Sequence, residues 1–173
     1  MLKRFSFIAV LAFAFTINAS AQSTFHSTFL SSYDAATGKI MQLADAFSDE
    51  QYDWRPAEGV RSVSEAMMHV ASANFFFASM LGAEMPEGIN PQEFEAKIKT
   101  KAEASKMLKK SINLARKAVE NTSLEAMEEE IDLFGNQTQR MRLVLLVGDH
   151  ANEHLGQLIA YARSAGVVPP WSN

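Results

Sequence analysis

His150 and His154 stand four residues apart in Leu146-Val147-Gly148-Asp149-His150-Ala151-Asn152-Glu153-His154. On a helix that step puts both imidazoles on one face, where two nitrogens can chelate one cation. The chain has four histidines in all, and another of them, His69, lies in a second helical stretch. Neutral imidazoles buried in an apolar interior are costly unless their nitrogens find partners, and one divalent cation satisfies three at once. Three protein ligands also leave a coordination position open, as in catalytic rather than structural sites. Nitrogen-only ligation suits zinc or nickel foremost, with copper and iron as alternatives. Taken alone, His69 is read as a core histidine bonded to a backbone carbonyl, so the metal reading rests on the set of three.

Four stretches with helical periodicity must position these residues. Phe25, Phe29, Tyr33, Ala36, Ile40, Leu43 and Phe47 form one apolar stripe at steps of three and four. His26 lies one position off that stripe and is expected to be exposed. The second stretch opens with Ser62-Val63-Ser64-Glu65, the spacing of a capping box, and is expected to stop at Gly82. Pro86, Gly88 and Pro91 then break the chain. The third runs from about Lys97 to Asn121, with Ala104, Leu108, Ile112, Ala115 and Val119 on one face. The acidic connection Glu128 to Asp132, ending at Phe134-Gly135-Asn136, is expected to be a solvated loop or short edge. The fourth stretch is expected to start near an N-cap at Thr138 and to run to Gly166. Four long helices with modest connections indicate an all-α, antiparallel four-helix bundle.

In such a bundle His150 and His154 share a face with Leu143, Val147, Leu158 and Tyr161, and His69 shares one with Ala66, Ala73, Phe76 and Met80. Both faces are therefore expected to point into the core. Val144, Leu145 and Leu155 point the other way, toward another helix or a second subunit. Gln157 falls on the His154 face, as a candidate donor behind the ligands or as part of the pocket lining. Glu65 and Glu153 are the candidate general bases, against the plainer roles of helix cap for Glu65 and surface ion pair for Glu153. Trp54, Phe76 and Phe77 are candidates for an apolar substrate pocket, against a plain place in the core.

The N-terminus has the form of a secretory leader: Lys3-Arg4, an apolar run from Phe5 to Ile17, then Ala19-Ser20-Ala21. Residues 1–21 are expected to be removed, leaving residues 22–173 as one domain in the periplasm or secreted. The run is too short to span a bilayer comfortably, so no membrane partner is expected after cleavage. Loss of Lys3 and Arg4 makes the formal charge of −4 more negative by two. An acidic chain without a basic stripe excludes nucleic acid as the expected partner. With no cysteine there is no disulfide framework, thiolate nucleophile or thiolate ligand.

Trp54-Arg55-Pro56, the segment Ser62-Val63-Ser64-Glu65-Ala66-Met67-Met68-His69-Val70, the segment Asp149-His150-Ala151-Asn152-Glu153-His154-Leu155-Gly156-Gln157-Leu158, and the ending Tyr161 to Gly166 with Pro169-Pro170 together resemble the DinB-like (YfiT-like) family of metalloenzymes. The resemblance implies a four-helix bundle of up-down-down-up connectivity, a tendency to form homodimers, and a divalent metal ion held by His69, His150 and His154. Characterised relatives include transferases and isomerases that use low-molecular-weight thiols. An exported chain would not meet those cytosolic thiols, so the expectation here is metal-dependent hydrolysis or small-group transfer on an unidentified small molecule. The alternative is a periplasmic metal- or ligand-binding module without turnover, and a metal-free structural bundle is a third reading.

Overall fold

The computed structural model describes the backbone of residues 2–172 and the side chains of residues 24–172. The leader expected at residues 1–21 lies outside the residues whose side chains are described. In chain order the helices are α1 (Leu2–Ala46), α2 (Val63–Met80), α3 (Phe94–Lys97), α4 (Lys101–Asn121), α5 (Leu124–Glu128) and α6 (Arg140–Ser164). Among the described residues, no helix is long and apolar enough to cross a membrane. Two short strands, β1 (Glu130–Leu133) and β2 (Asn136–Gln139), pair antiparallel between α5 and α6.

The long helices α1, α2, α4 and α6 form the bundle. Their directions follow from the contacts between them. Arg116 of α4 pairs with Asp34 of α1 at 3.0 Å, while Lys101 donates to the Phe47 carbonyl at 2.7 Å, so α1 and α4 are antiparallel. Lys99, just before α4, meets Glu65 at 2.9 Å, and farther along Asn74 meets Ser111 at 3.3 Å, so α2 and α4 run parallel. Tyr161 reaches the Arg61 carbonyl at 3.1 Å while His150 reaches His69, which makes α6 antiparallel to α2. Phe29 lies beside Gly148, where a Cβ would meet its ring at 3.1 Å, and Gln51 donates to the Ala165 carbonyl, so α1 and α6 run parallel. The connectivity is up-down-down-up. The simple antiparallel arrangement expected from loop lengths gives way because residues 81–100 are long enough to carry the chain back and start α4 alongside α2.

Local sequence explains most helix ends. Ser62 Oγ accepts from the Glu65 amide while Glu65 Oε2 accepts from the Ser62 amide, closing the capping box. At the other end of α2, Gly82 takes φ 90° and its amide bonds the Ser79 carbonyl while that of Ala83 bonds Ala78, a Schellman stop. Two expected starts move. The third helix begins at Lys101, because Thr100 accepts from the Glu103 amide as its N-cap and Phe94–Lys97 forms a separate turn. The fourth begins at Arg140, because Thr138 is paired with Ile131 in the hairpin and has no freedom to cap. The hairpin itself turns on Phe134 and Gly135, at φ 57° and 84°, with the Gly135 amide bonded to Asp132 Oδ1. Positive φ at both central residues is the requirement of a type I′ turn, whose twist matches the flanking strands.

The core takes Tyr33, Ala36, Ile40, Leu43 and Phe47 from α1, and all five residues expected on the inner face of α4 are buried. Val144 and Leu155 are buried inside the chain's own bundle, and only Leu145 of that trio is exposed. His26 is buried rather than exposed. Its Nε2 donates to the carbonyls of Val119 and Thr122 at 3.1 and 2.9 Å. The last carbonyls of α4 have no i+4 amide within the helix; that of Val119 takes the Thr122 amide at 3.0 Å, and the antiparallel packing of α1 brings an imidazole to both Val119 and Thr122. A polar thread crosses the middle of the bundle: Tyr33 donates to Asn74 Oδ1 at 3.2 Å, Asn74 to Ser111 Oγ, and Ser111 to the Leu108 carbonyl. Burial raises the Tyr33 pKa, aided by the charge of Asp34, so the phenol stays a donor. Asn74→Ala strands the buried Tyr33 hydroxyl and should cost about 1–3 kcal/mol in urea denaturation; a loss below the error of that measurement would show the thread to be unimportant.

Candidate metal centre

The antiparallel contact of α2 with α6 brings His69, His150 and His154 together. Their rings are 5.2 Å apart for His69 and His150, 4.8 Å for His69 and His154, and 4.3 Å for His150 and His154. His69 Nε2 and His150 Nε2 are 3.3 Å apart, and one nitrogen from each of the three residues falls within a 4.8 Å spread. Two nitrogens on a tetrahedral cation with bonds near 2.1 Å stand about 3.4 Å apart. The first pair therefore already has ligand spacing, and the set closes by less than about 1.5 Å at its widest. These three residues could hold a metal ion.

The faces are not buried as deeply as an inward stripe implies. His154 is buried, but His69 and His150 are half-buried, and Ala73, Met80 and Phe76 beside His69 are partly or largely exposed. The histidine face of α2 lines an open cavity, while the neighbouring face with Ala66, Val70, Ala71 and Phe75 fills the core. Phe77 closes one side, edge-on to His150 at 5.5 Å.

Hydrogen bonds outside the trio decide which nitrogen faces in. A carboxylate only accepts, so Glu95 Oε1 at 3.1 Å requires His69 Nδ1 to carry the proton and leaves its Nε2 with a lone pair. On the other side, the Arg61 carbonyl takes the Tyr161 hydroxyl proton at 3.1 Å. Tyr161 then accepts from Gln157 Nε2 at 3.0 Å, which turns Gln157 Oε1 toward His154 Nδ1 at 2.7 Å. His154 must donate there, and its Nε2 is the free acceptor. Gln157 stands behind His154 as an acceptor, not as the donor expected from the sequence. Burial, assisted by His154, His69 and Arg61, pushes the His150 pKa down to about 3. Burial and then Arg61 also lower that of His69, against the opposing pull of Glu95. Both rings are neutral near neutral pH, the state in which imidazole binds a metal.

Sequence reasoning missed Glu95 and Arg61. Glu95 comes from α3, a one-turn helix in a segment taken for loop, and Arg61 Nε holds it at 2.7 Å. Of the two carboxylates it did single out, Glu65 is engaged elsewhere. It caps α2 and pairs with Lys99 at 2.9 Å and Arg55 at 3.3 Å. The Ser62 amide, then Lys99 and Arg55, hold its carboxyl down at about 2, far from a proton acceptor's range near neutrality. Glu153 is exposed, next to the buried His154. Trp54 stacks edge-on against Tyr161 at 5.6 Å behind the ligands, whereas Phe76 and Phe77 line the cavity.

A bundle of this connectivity, with two histidines four apart on its last helix facing one on its second, defines a family. Residues 20–173 match the DinB family, and the chain belongs to it. Among individual relatives, the uncharacterized protein YjoA of Bacillus subtilis (strain 168) is 25% identical over 128 residues, 72% of this chain and 80% of that protein. The crystal structure of a DinB-like protein from Bacillus cereus ATCC 10987 superposes with a TM-score of 0.71 at 18% identity, covering 84% of this chain and 95% of that one. The crystal structure of the DinB-like YjoA from Bacillus subtilis gives 0.64 at 20% identity, covering 82% and 94%. At these identities the structures establish the fold.

Because the Glu65 carboxyl lies below its ordinary value, its contribution to stability is complete above the ordinary carboxylate range and is lost as pH falls toward about 2. Glu65→Gln should therefore cost about 1 kcal/mol at pH 7 and almost nothing near pH 2. Urea denaturation of both proteins across that range measures it; a pH-independent difference would count against the cap and ion pairs as its source.

Proposed function

We propose that the chain is a metal-dependent hydrolase or small-group transferase, with a divalent cation, zinc or nickel, held by His69, His150 and His154. The observation that carries this reading is the outward fixing of His69 and His154 through Nδ1, which leaves each an Nε2 lone pair, with that of His69 3.3 Å from His150 Nε2 and one nitrogen of each ring within a 4.8 Å spread. One Nε2–H of His150 can satisfy only one of those lone pairs, whereas a single cation satisfies all three rings at once. When bound there, a divalent cation supplies a Lewis acid that polarises a carbonyl or similar group and lowers the pKa of a nucleophile. The protein's part is to keep His69 and His150 neutral, hold the orientation of all three rings, and leave one side open to the cavity. Phe77 keeps water from one flank of His150. A leader at residues 1–21 supports export to the periplasm or medium, and membership of a family whose members often dimerise supports a homodimer.

Chain purified without a histidine tag should contain close to one equivalent of metal by elemental analysis, and His150→Ala and His69→Ala should contain almost none. Full occupancy in His150→Ala would refute the site. Gln157→Leu removes the acceptor behind His154 while keeping all three ligands, and should weaken zinc affinity about 10–100-fold in a competition titration. Hydrolysis of 4-nitrophenyl acetate, abolished by chelator and restored by zinc, is the expected turnover; stoichiometric metal with no turnover of esters or amides would favour the non-catalytic binding module.

A further inference from the structure

The cavity beside His69 and His150 has a volume of about 590 Å³, within the usual size range of small-molecule sites. Its walls come from three separate parts of the chain: Phe76 and Phe77 of α2, Met85 and Pro91 of the segment before α3, and Phe134 at the tip of the β1–β2 hairpin. Among the described residues, no lysine, arginine, aspartate or glutamate lines it. Three of its polar side chains are already bonded to backbone: Ser72 to the Pro91 carbonyl, Ser79 to the Phe76 carbonyl, and Asn90 to the Gln92 amide. The Gln92 carboxamide and the Asn90 NH2 group add polar character to one wall, and the rest lies at the histidine end.

Phe134 sits there against local preference. It is the first central residue of the turn, at φ 57°, a position that favours glycine, asparagine or aspartate and is strained for a bulky side chain. The residue is 64% exposed and its ring stacks on that of Phe76, itself 45% exposed, with centroids 6.1 Å apart and planes at 17°. Leaving two aromatic faces in water gains nothing for folding, and a strained residue that presents one points to use.

Resting on the metal reading above, we infer that this site takes an uncharged, largely apolar small molecule, aromatic or aliphatic, with one compact polar head. The head reaches the His69 and His150 end, and the body lies along Phe76 and Phe134. Phosphate esters, sugars and charged peptides are excluded as bodies, because the walls offer no counter-charge and few free donors. Phe134 and Phe76 are then the residues that set specificity.

Two titrations on the full chain test this. N-phenyl-1-naphthylamine, a neutral apolar fluorophore, should bind saturably with or without zinc, and Phe134→Ala and Phe76→Ala should each weaken it about tenfold. Both rings are exposed, so thermal melting of the variants should match the parent. In the zinc-loaded chain, the affinity of acetohydroxamate, butyrohydroxamate and octanohydroxamate should rise about two- to fourfold per methylene until the cavity is filled. Phe134→Ala should flatten that rise while leaving acetohydroxamate unchanged. Fluorophore affinity indifferent to both substitutions, or equal affinities along the hydroxamate series, would overturn the inference. A chain that takes up no zinc and binds no hydroxamate refutes the metal reading instead, and the fluorophore titration without metal still decides the cavity.

Discussion

The structure depends on keeping neutral imidazoles oriented in a partly desolvated cleft. A histidine ring offers one donor and one acceptor, and burial makes the charged form expensive, so each ring must commit its proton to a partner on one side. His69 commits to Glu95 and His154 to Gln157. Those two bonds impose demands on distant parts of the chain. Glu95 requires a turn of helix above α2, and the return segment that supplies it also lets α4 run parallel to α2. Gln157 requires Tyr161 one turn on, facing the start of α2, which holds α6 antiparallel and in register. The connectivity of the bundle and the orientation of the histidines are thus settled by the same contacts.

The carboxylates divide their work by what surrounds them. Glu65 lies at a helix N-terminus among amides and two cations, and its charge is spent on stability. Glu95 lies one layer behind a histidine and has Arg61 to hold its other oxygen. Swapping those environments would swap the roles. The cavity wall shows the complementary rule: apolar rings left in water at one edge, with no charge to compete for what binds beside them.

Much of this was legible in the sequence. The stripes of α1 and α4 identified the core because a period near 3.6 survives any detail of packing. The capping box and Gly82 marked the limits of α2 because caps are local chemistry. The His150–His154 pair was legible because its spacing is local; the joining of His69, 81 residues from His150, leaned on the family resemblance. What was not legible depends on distance. Glu95 and Arg61 look like ordinary surface charges until the fold brings them behind His69. His26 looked exposed because its partners, the final carbonyls of α4, lie more than ninety residues away. The hairpin was hidden by a Phe-Gly turn that lacks the usual Asn-Gly signature, and once it forms it takes Thr138 from the helix it would otherwise have capped.

Arg61, immediately before the capping serine of α2, serves both sides of the cleft with different atoms. Its guanidinium holds Glu95 behind His69, and its carbonyl ends the Tyr161–Gln157 relay behind His154. The two supporting shells therefore hinge on one residue. A displacement of the chain at that point would reach His69 and His154 together, so the two histidines are coupled through a residue outside the trio.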